Sequence, residues 1–225
     1  MNSLDTKASL GLAFLIVVMA LVLFVPAWTL RYWQAWVYLA LFATSVGAIT
    51  VYLTRNDRAL LGRRTRAGPL AEKENTQKAI QSFAQFAFLA VFLIPALDHR
   101  FMWSDVPIYA EILGDILVAL GLYTVFRVFK ENTFTSAIIE VDTQQRLISS
   151  GPYALVRHPM YSGAFIMLIG TPLALGSWWG LLALIPITAA IIWRLLDEER
   201  FVTKYLAGYA GYCTKVRWRL IPGVF

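Results

Sequence analysis

The sequence predicts an all-α membrane protein, a polytopic bundle of about six transmembrane helices, because its apolar residues are numerous and lie in long runs. Of 225 residues, 58% are hydrophobic and 15% are charged, and the mean hydropathy is +0.59. Soluble domains are roughly 45–50% apolar and about 25% charged, so an ordinary soluble enzyme is excluded. Disorder is also excluded, because disordered chains are rich in charge and poor in apolar residues.

Four apolar runs predict the first four spans, since a helix needs about 20 apolar residues to cross a bilayer. The fourth run is weaker because it carries Glu111 and Asp115, which we interpret as marking the outer end of a helix. The first run has one alternative, a signal peptide. The run is long, Lys7 is the only basic residue before it, and no cleavage site follows it. These features favour a retained helix. The runs are 10–30, 32–54, 79–97 and 106–126.

The last run, 159–193, has 35 uncharged residues and is too long for one span. Gly176-Ser177-Trp178-Trp179-Gly180 interrupts it in the middle. Glycine is typical of turns, and tryptophan prefers the membrane interface. The run therefore predicts two short helices in a hairpin. We expect one integral membrane domain over 1–225, with four spans in 1–129.

The basic residues predict how the bundle is oriented. With a cytoplasmic N-terminus, only Arg31 and Arg100 fall in outer loops, and the other 18 of the 20 Lys and Arg residues lie inside. This distribution agrees with the positive-inside rule and places both termini in the cytoplasm. It also explains the net charge of +6 without a nucleic-acid partner, because anionic headgroups attract basic inner loops. We interpret the loop 55–78 as a solvated connector and His99 as an outer surface residue.

Several kinds of site are absent from the sequence. Cys213 is the single cysteine and the two histidines are far apart, so neither a disulfide nor a metal centre is expected. No G-x-G-x-x-G or G-x-x-x-x-G-K-[ST] motif occurs, which argues against a Rossmann domain and a P-loop. G-x-S-x-G and H-E-x-x-H are missing as well.

The inner segment 130–160 ends in a cluster of polar groups. Arg157 and His158 precede Pro159, which suits the first helical turn because its missing N–H costs nothing there. The two side chains and the free amides of a helix N-terminus then converge, which suits an anionic group. The alternative is that Arg157 and His158 only snorkel to the interface and set the topology.

A second cluster, Asp197-Glu198-Glu199, follows the last span. Acids are unexpected there, because the dipole at a helix C-terminus disfavours anions. Arg194 and Glu198 are four residues apart and can pair on one helix face. This favours a carboxylate for a cationic ligand group, held by Arg194; the alternative is a charged helix that continues into water. The mixed basic and aromatic tail, 204–223, indicates an interfacial segment.

These elements together resemble a known superfamily. Gly151-Pro152-Tyr153, Arg157-His158-Pro159-Met160-Tyr161 and Glu198-Glu199 are similar to the R-H-P-x-Y…E-E signature of the isoprenylcysteine carboxyl methyltransferases and phospholipid methyltransferases. The resemblance covers about 130–225, and the short chain looks more like the bacterial members. It implies S-adenosylmethionine as cofactor, bound outside any Rossmann fold, with 130–225 as the cofactor-binding and catalytic part.

The resemblance also implies residue roles. Glu198 and Arg194 would be catalytic, and Arg194 would lie near the acceptor. The implied cofactor-binding residues are Tyr153, Arg157, His158, Pro159, Tyr161, Glu198 and Glu199. The implied reaction is methylation at the membrane–cytoplasm interface, most like isoprenylcysteine carboxyl O-methylation, in a bacterial inner membrane. The acceptor stays open among a prenylcysteine, a small thiol and a phospholipid amine.

Two alternatives remain for the function. The ending, with Lys204-Tyr205, Tyr212-Cys213 and Arg219-Leu220-Ile221-Pro222, is also similar to membrane sterol reductases, which implies an NADPH-dependent reductase. Met160 in place of asparagine in the motif favours the methyltransferase. The other alternative is a non-enzymatic membrane protein, whose charged pathway would have to use Glu111 and Asp115.

Overall fold

The computed structural model describes residues 3–65, 68–72, 74–139 and 145–225, and within these ranges it contains helices and loops but no strand. The all-α prediction is therefore confirmed. Short 3₁₀ helices at Pro69–Ala71, Gly151–Ala154 and Trp179–Ala183 supplement the α-helices. The α-helices are α1 (Ser3–Ala27), α2 (Trp33–Asn56), α3 (Arg58–Arg64), α4 (Asn75–Phe101), α5 (Ile108–Glu131), α6 (Pro159–Ala174), α7 (Leu184–Tyr205) and α8 (Tyr209–Lys215).

Five helical stretches in the described chain are long and apolar enough to span a membrane, and α6, with 16 residues, is a shorter apolar helix. Four of them are α1, α2, α4 and α5, and the fifth is the continuous stretch Trp179–Tyr205 that contains α7. The hairpin prediction is right for α6 and wrong for the length of its second helix. That helix continues past Trp193 because partners elsewhere in the fold bind its charged side chains.

Helices α5 and α6 pack backbone to backbone. A Cβ atom placed on Gly121 would lie 2.5 Å from the carbonyl oxygen of Gly163, and one on Gly170 would lie 2.5 Å from that of Gly114. Small residues let membrane helices approach this closely. The antiparallel contact sets the N-terminus of α6, where the Arg157-His158 pair lies, beside the inner end of α5.

The loop 55–78 is not simply a solvated connector, so that interpretation is wrong for its described part. Leu60 and Leu61 of α3 are buried in a small cluster with Phe129 of α5. The carboxylate of Asp57 caps α3 by accepting from the Leu60 N–H at 2.9 Å. Residues 66, 67 and 73 of this loop lie outside the described residues.

The outer end of the bundle is joined by a network around Asp98. This buried carboxylate accepts from the N–H and the hydroxyl of Ser104, at 2.7 and 2.6 Å, and from the hydroxyl of Ser177 in the α6–α7 turn. His99 stacks on Tyr32 with ring centroids 4.0 Å apart, so it is half-buried rather than a surface residue. Glu111 lies in the first turn of α5 and is buried.

Candidate active site

The inner ends of α6 and α7 border a partly open cavity. The structure places every predicted site residue on its wall except Glu199. Apolar side chains, among them Ile139 and Val202, complete the lining. The predicted residues on the wall are Tyr153, Arg157, His158, Pro159, Tyr161, Arg194 and Glu198.

The C-terminal segment holds the start of α6 in place. The backbone N–H groups of Arg157 and His158 donate to the carbonyl oxygens of Trp218 and Arg219, at 2.8 and 2.9 Å. The Ser162 hydroxyl donates to the Leu220 carbonyl oxygen at 2.6 Å. Residues 58 to 61 positions apart in the chain thus fix the Arg-His-Pro motif against the cavity.

Glu199 lies behind the cavity wall, among three basic side chains. Its carboxylate is 2.9 Å from Nη1 of Arg157, 2.8 Å from Nε of Arg219 and 3.3 Å from Nε2 of His158. Charge-assisted hydrogen bonds of this kind are the strong ones. In this structure Glu199 therefore joins α7 to the motif and to the C-terminal segment, and its contact with a cofactor stays a prediction.

Glu198 faces the cavity as one end of a chain of hydrogen bonds. The Tyr161 hydroxyl donates to Oε2 of Glu198 at 2.5 Å and accepts from Nε of Arg194 at 3.1 Å. Arg194 and Glu198 lie on one side of α7, as expected from their spacing, but Tyr161 bridges them. The chain continues from Arg194 to Glu72, whose Oε1 accepts from Nη2 at 2.9 Å.

Several residues around the site were not predicted from the sequence, because their partners lie far away in the chain. Glu72 and Gln77 bind Arg194, and Arg219 binds Glu199. Asn132, also missed, donates to the Tyr153 hydroxyl at 2.9 Å. Burial raises the pKa of the Tyr153 phenol well above its usual value, so this hydroxyl stays protonated at neutral pH.

The wall of the cavity fits a ligand that carries both a negatively and a positively charged group. Nε of Arg157 is buried and has no hydrogen-bond partner among the described residues, although the other guanidinium nitrogens bind Glu199 and the Arg217 carbonyl oxygen. A buried donor without a partner costs about 1–3 kcal/mol, so a ligand carboxylate is favoured there. Glu198 supplies negative charge for a cationic group. The described residues contain no group of three or more His, Cys, Asp or Glu side chains suited to a metal.

Comparison with known proteins places the same part of the chain in one family. The phospholipid methyltransferase family matches residues 109–208, which include every predicted site residue. The chain is 30% identical to a "probable protein-S-isoprenylcysteine O-methyltransferase" of Oryza sativa subsp. indica. That alignment covers 81% of this chain and 93% of the rice protein.

The alignments with two other relatives cover a smaller part of the chain. "Protein-S-isoprenylcysteine O-methyltransferase B" of Arabidopsis thaliana is 29% identical over 54% of this chain and 58% of its own length. A Delta(14)-sterol reductase of Mus musculus is 34% identical over 39% of this chain, but only 22% of the reductase is covered.

Proposed function

Because the chain belongs to the isoprenylcysteine carboxyl methyltransferase and phospholipid methyltransferase superfamily, we propose that this integral membrane methyltransferase transfers the methyl group of S-adenosylmethionine to the carboxylate of a lipophilic, isoprenylcysteine-like acceptor. The single observation that carries the proposal is the cavity at the inner ends of α6 and α7. Its wall includes Glu198 and Arg157, whose buried Nε has no hydrogen-bond partner among the described residues.

The residues on the wall would divide the binding of S-adenosylmethionine between them. Nε of Arg157 would donate to the cofactor carboxylate, and Glu198 would face its positively charged groups. Bound there, the cofactor supplies a methyl group already activated on a sulfonium. The chain therefore has to orient donor and acceptor and to exclude water. Positioning alone can contribute several kcal/mol to lowering a barrier.

The hydrogen bonds of Glu198 favour a carboxylate acceptor over an amine. An amine acceptor needs a base that removes a proton, and one Glu198 oxygen already accepts from the Tyr161 hydroxyl at 2.5 Å. A carboxylate is deprotonated at neutral pH, so no proton has to move. The names of the rice and Arabidopsis relatives support the same acceptor class.

A transfer assay with radiolabelled methyl donor tests the proposal. The acceptors are an N-acetylated farnesylcysteine, the unprenylated N-acetylcysteine and phosphatidylethanolamine. We expect label in a base-labile methyl ester of the prenylated compound alone. Label in the phospholipid amine, or no transfer to any acceptor, would contradict the proposal. Glu198→Gln is expected to lower the transfer by about tenfold or more, because it removes the negative charge that would face the cationic groups of the cofactor.

The sterol reductase resemblance is a second candidate because Arg219-Leu220-Ile221-Pro222 and the mouse relative both support it. Titration with labelled S-adenosylmethionine and NADPH in parallel separates the two. Binding of NADPH without S-adenosylmethionine would favour the reductase. We expect the opposite result, because the rice relative matches most of the chain and the reductase only a part of it.

A further inference from the structure

Glu72 is a buried carboxylate that does not line the cavity. It is 4% exposed and lies just before α4, in a stretch that is otherwise rich in basic residues. Its Oε1 accepts from Nη2 of Arg194 at 2.9 Å and from Nε2 of Gln81 at 2.7 Å. Its Oε2 accepts from the Ile139 N–H at 3.2 Å. Both oxygens thus bind groups that border the cavity or support its wall.

The guanidinium of Arg194 is held on three sides. Nε donates to Tyr161, Nη1 donates to Gln77, and Nη2 donates to Glu72 and to the carbonyl oxygen of Ala137 at 3.1 Å. Glu72 is the partner in this set that carries a full negative charge. Because the Arg194 side chain is 14% exposed, water compensates little of its charge.

We propose that Glu72 is a positioning residue for methyl transfer, acting through Arg194 and Tyr161 to fix the cavity-facing carboxylate of Glu198. The inference rests on the proposed function. Glu72 touches neither donor nor acceptor; it neutralises Arg194, which orients Tyr161, which binds Glu198. Through the Ile139 N–H the same carboxylate also binds a second segment that lines the cavity.

Removing the charge of Glu72 has a definite structural consequence. A buried cation that has lost its counter-charge seeks another one, because leaving it uncompensated is costly. Glu198 lies four residues along α7 and is already linked to Arg194 through the Tyr161 hydroxyl. Arg194 would therefore pair with Glu198 directly and withdraw it from the cavity. The cofactor would keep Arg157 but lose the carboxylate that faces its cationic groups, so both turnover and cofactor affinity should fall.

The test compares Glu72→Gln with Glu74→Gln, which removes the same charge from an exposed residue two positions along. We expect Glu72→Gln to lower kcat at least tenfold and to raise the KM for S-adenosylmethionine more than threefold. Glu74→Gln should leave both within twofold. Rates are divided by the number of cofactor-binding sites, so loss of folded protein does not count. If Glu72→Gln yields no folded protein, Glu72→Asp replaces it. Because aspartate keeps the charge but is too short to hold Arg194 as closely, we expect smaller changes in the same directions, with kcat lowered about threefold.

A double variant separates a positioning role from a merely structural one. If Glu72 acts through Tyr161, Glu72→Gln combined with Tyr161→Phe should be no more than twofold slower than Tyr161→Phe alone, whereas independent effects multiply. Multiplied effects, or an unchanged kcat in Glu72→Gln when wild type is active, would overturn the inference alone. A wild type that methylates no acceptor would overturn the inference together with the proposed function.

Discussion

In Arg157, different nitrogens of the guanidinium group pair with Glu199 and remain available for a ligand. The charge of Arg157 is already matched by Glu199 at 2.9 Å, and a second nitrogen donates to the Arg217 carbonyl oxygen. Only Nε is left without a partner among the described residues. Arg157 would thus recognise a ligand by the direction of one N–H group, and a lysine lacks that planar set of donors.

Arg157→Lys should therefore weaken S-adenosylmethionine binding by about tenfold, since a hydrogen bond to a charged group contributes about 1.5–3 kcal/mol. Decarboxylated S-adenosylmethionine should bind wild type and variant within twofold of each other, because it lacks the group that Arg157 would hold. Equilibrium binding of both compounds measures this. Arg200→Lys, at an exposed position of α7, is the control. Equal losses for the two compounds would contradict the assignment.

The motif residues could be predicted from the sequence because Arg157, His158 and Pro159 mark a helix start, and local pattern is enough for that. Glu198 and Glu199 could not be told apart in this way. Successive residues of a helix point about 100° apart, so only one of them faces the cavity, and the sequence does not say which. The partner of Glu72 is Arg194, which lies 122 positions further along the chain. No pattern in the neighbouring sequence therefore indicates that Glu72 supports the site.

At the scale of elements, the contact between α5 and α6 determines where the motif lies. Gly163 is one turn from Pro159, and a Cβ there would lie 2.8 Å from the Gly121 carbonyl oxygen and 3.1 Å from Cβ of Thr124. The backbone of α5 cannot yield locally without lengthening its own hydrogen bonds. A methyl group at this contact would therefore push the N-terminus of α6 away from the inner end of α5.

Gly163→Ala should destabilise the protein by about 1–3 kcal/mol, the usual cost of overpacking, and should weaken cofactor binding. Gly47→Ala in α2 is the matched control, because a Cβ there meets no atom within 4 Å. The control should be neutral or stabilising by up to about 1 kcal/mol, since alanine favours helix. Thermal unfolding in detergent and cofactor titration measure the two effects. Equal midpoints for both variants would contradict the packing argument.

The long elements could be predicted from apolar runs alone, but their ends could not. The uncharged run stops at Trp193, whereas α7 continues to Tyr205 because Arg194 and Glu199 find partners in other elements. Helices α3 and α8 have seven residues each, too few for a readable period. The end of α7 and the two short helices depend on contacts with other elements, and the local sequence does not show those contacts.

At the scale of the whole molecule, the two ends of the bundle differ: one is held together by hydrogen bonds and the other contains the cavity. At the outer end, the Asp98 carboxylate of α4 binds Ser104 in the loop that follows this helix and Ser177 in the α6–α7 turn. The inner end holds the cavity and, with 18 of the 20 basic residues assigned there by sequence, would face the cytoplasm. We propose this orientation, with both termini inside.

The single cysteine reports that orientation directly. Cys213 lies in α8, beyond the last span, and is half-buried. A membrane-impermeant maleimide should label it in inside-out vesicles and spare it in right-side-out ones. Asp105→Cys in a Cys213→Ser background places the thiol in an exposed outer loop and should give the reverse pattern. Labelling of Cys213 from the outside would contradict the orientation.

The length of α6 affects the depth of the cavity relative to the surface of the bilayer. Sixteen residues rise about 24 Å, less than the roughly 30 Å of a hydrocarbon core. Ser177 binds Asp98 at one end of this helix, and His158 lies at the other. We expect the bilayer to thin locally around this helix, and the cavity to sit below the headgroup layer of the surrounding lipid. An acceptor tethered to the membrane could then present its reacting group while its hydrocarbon chain remains immersed in the bilayer.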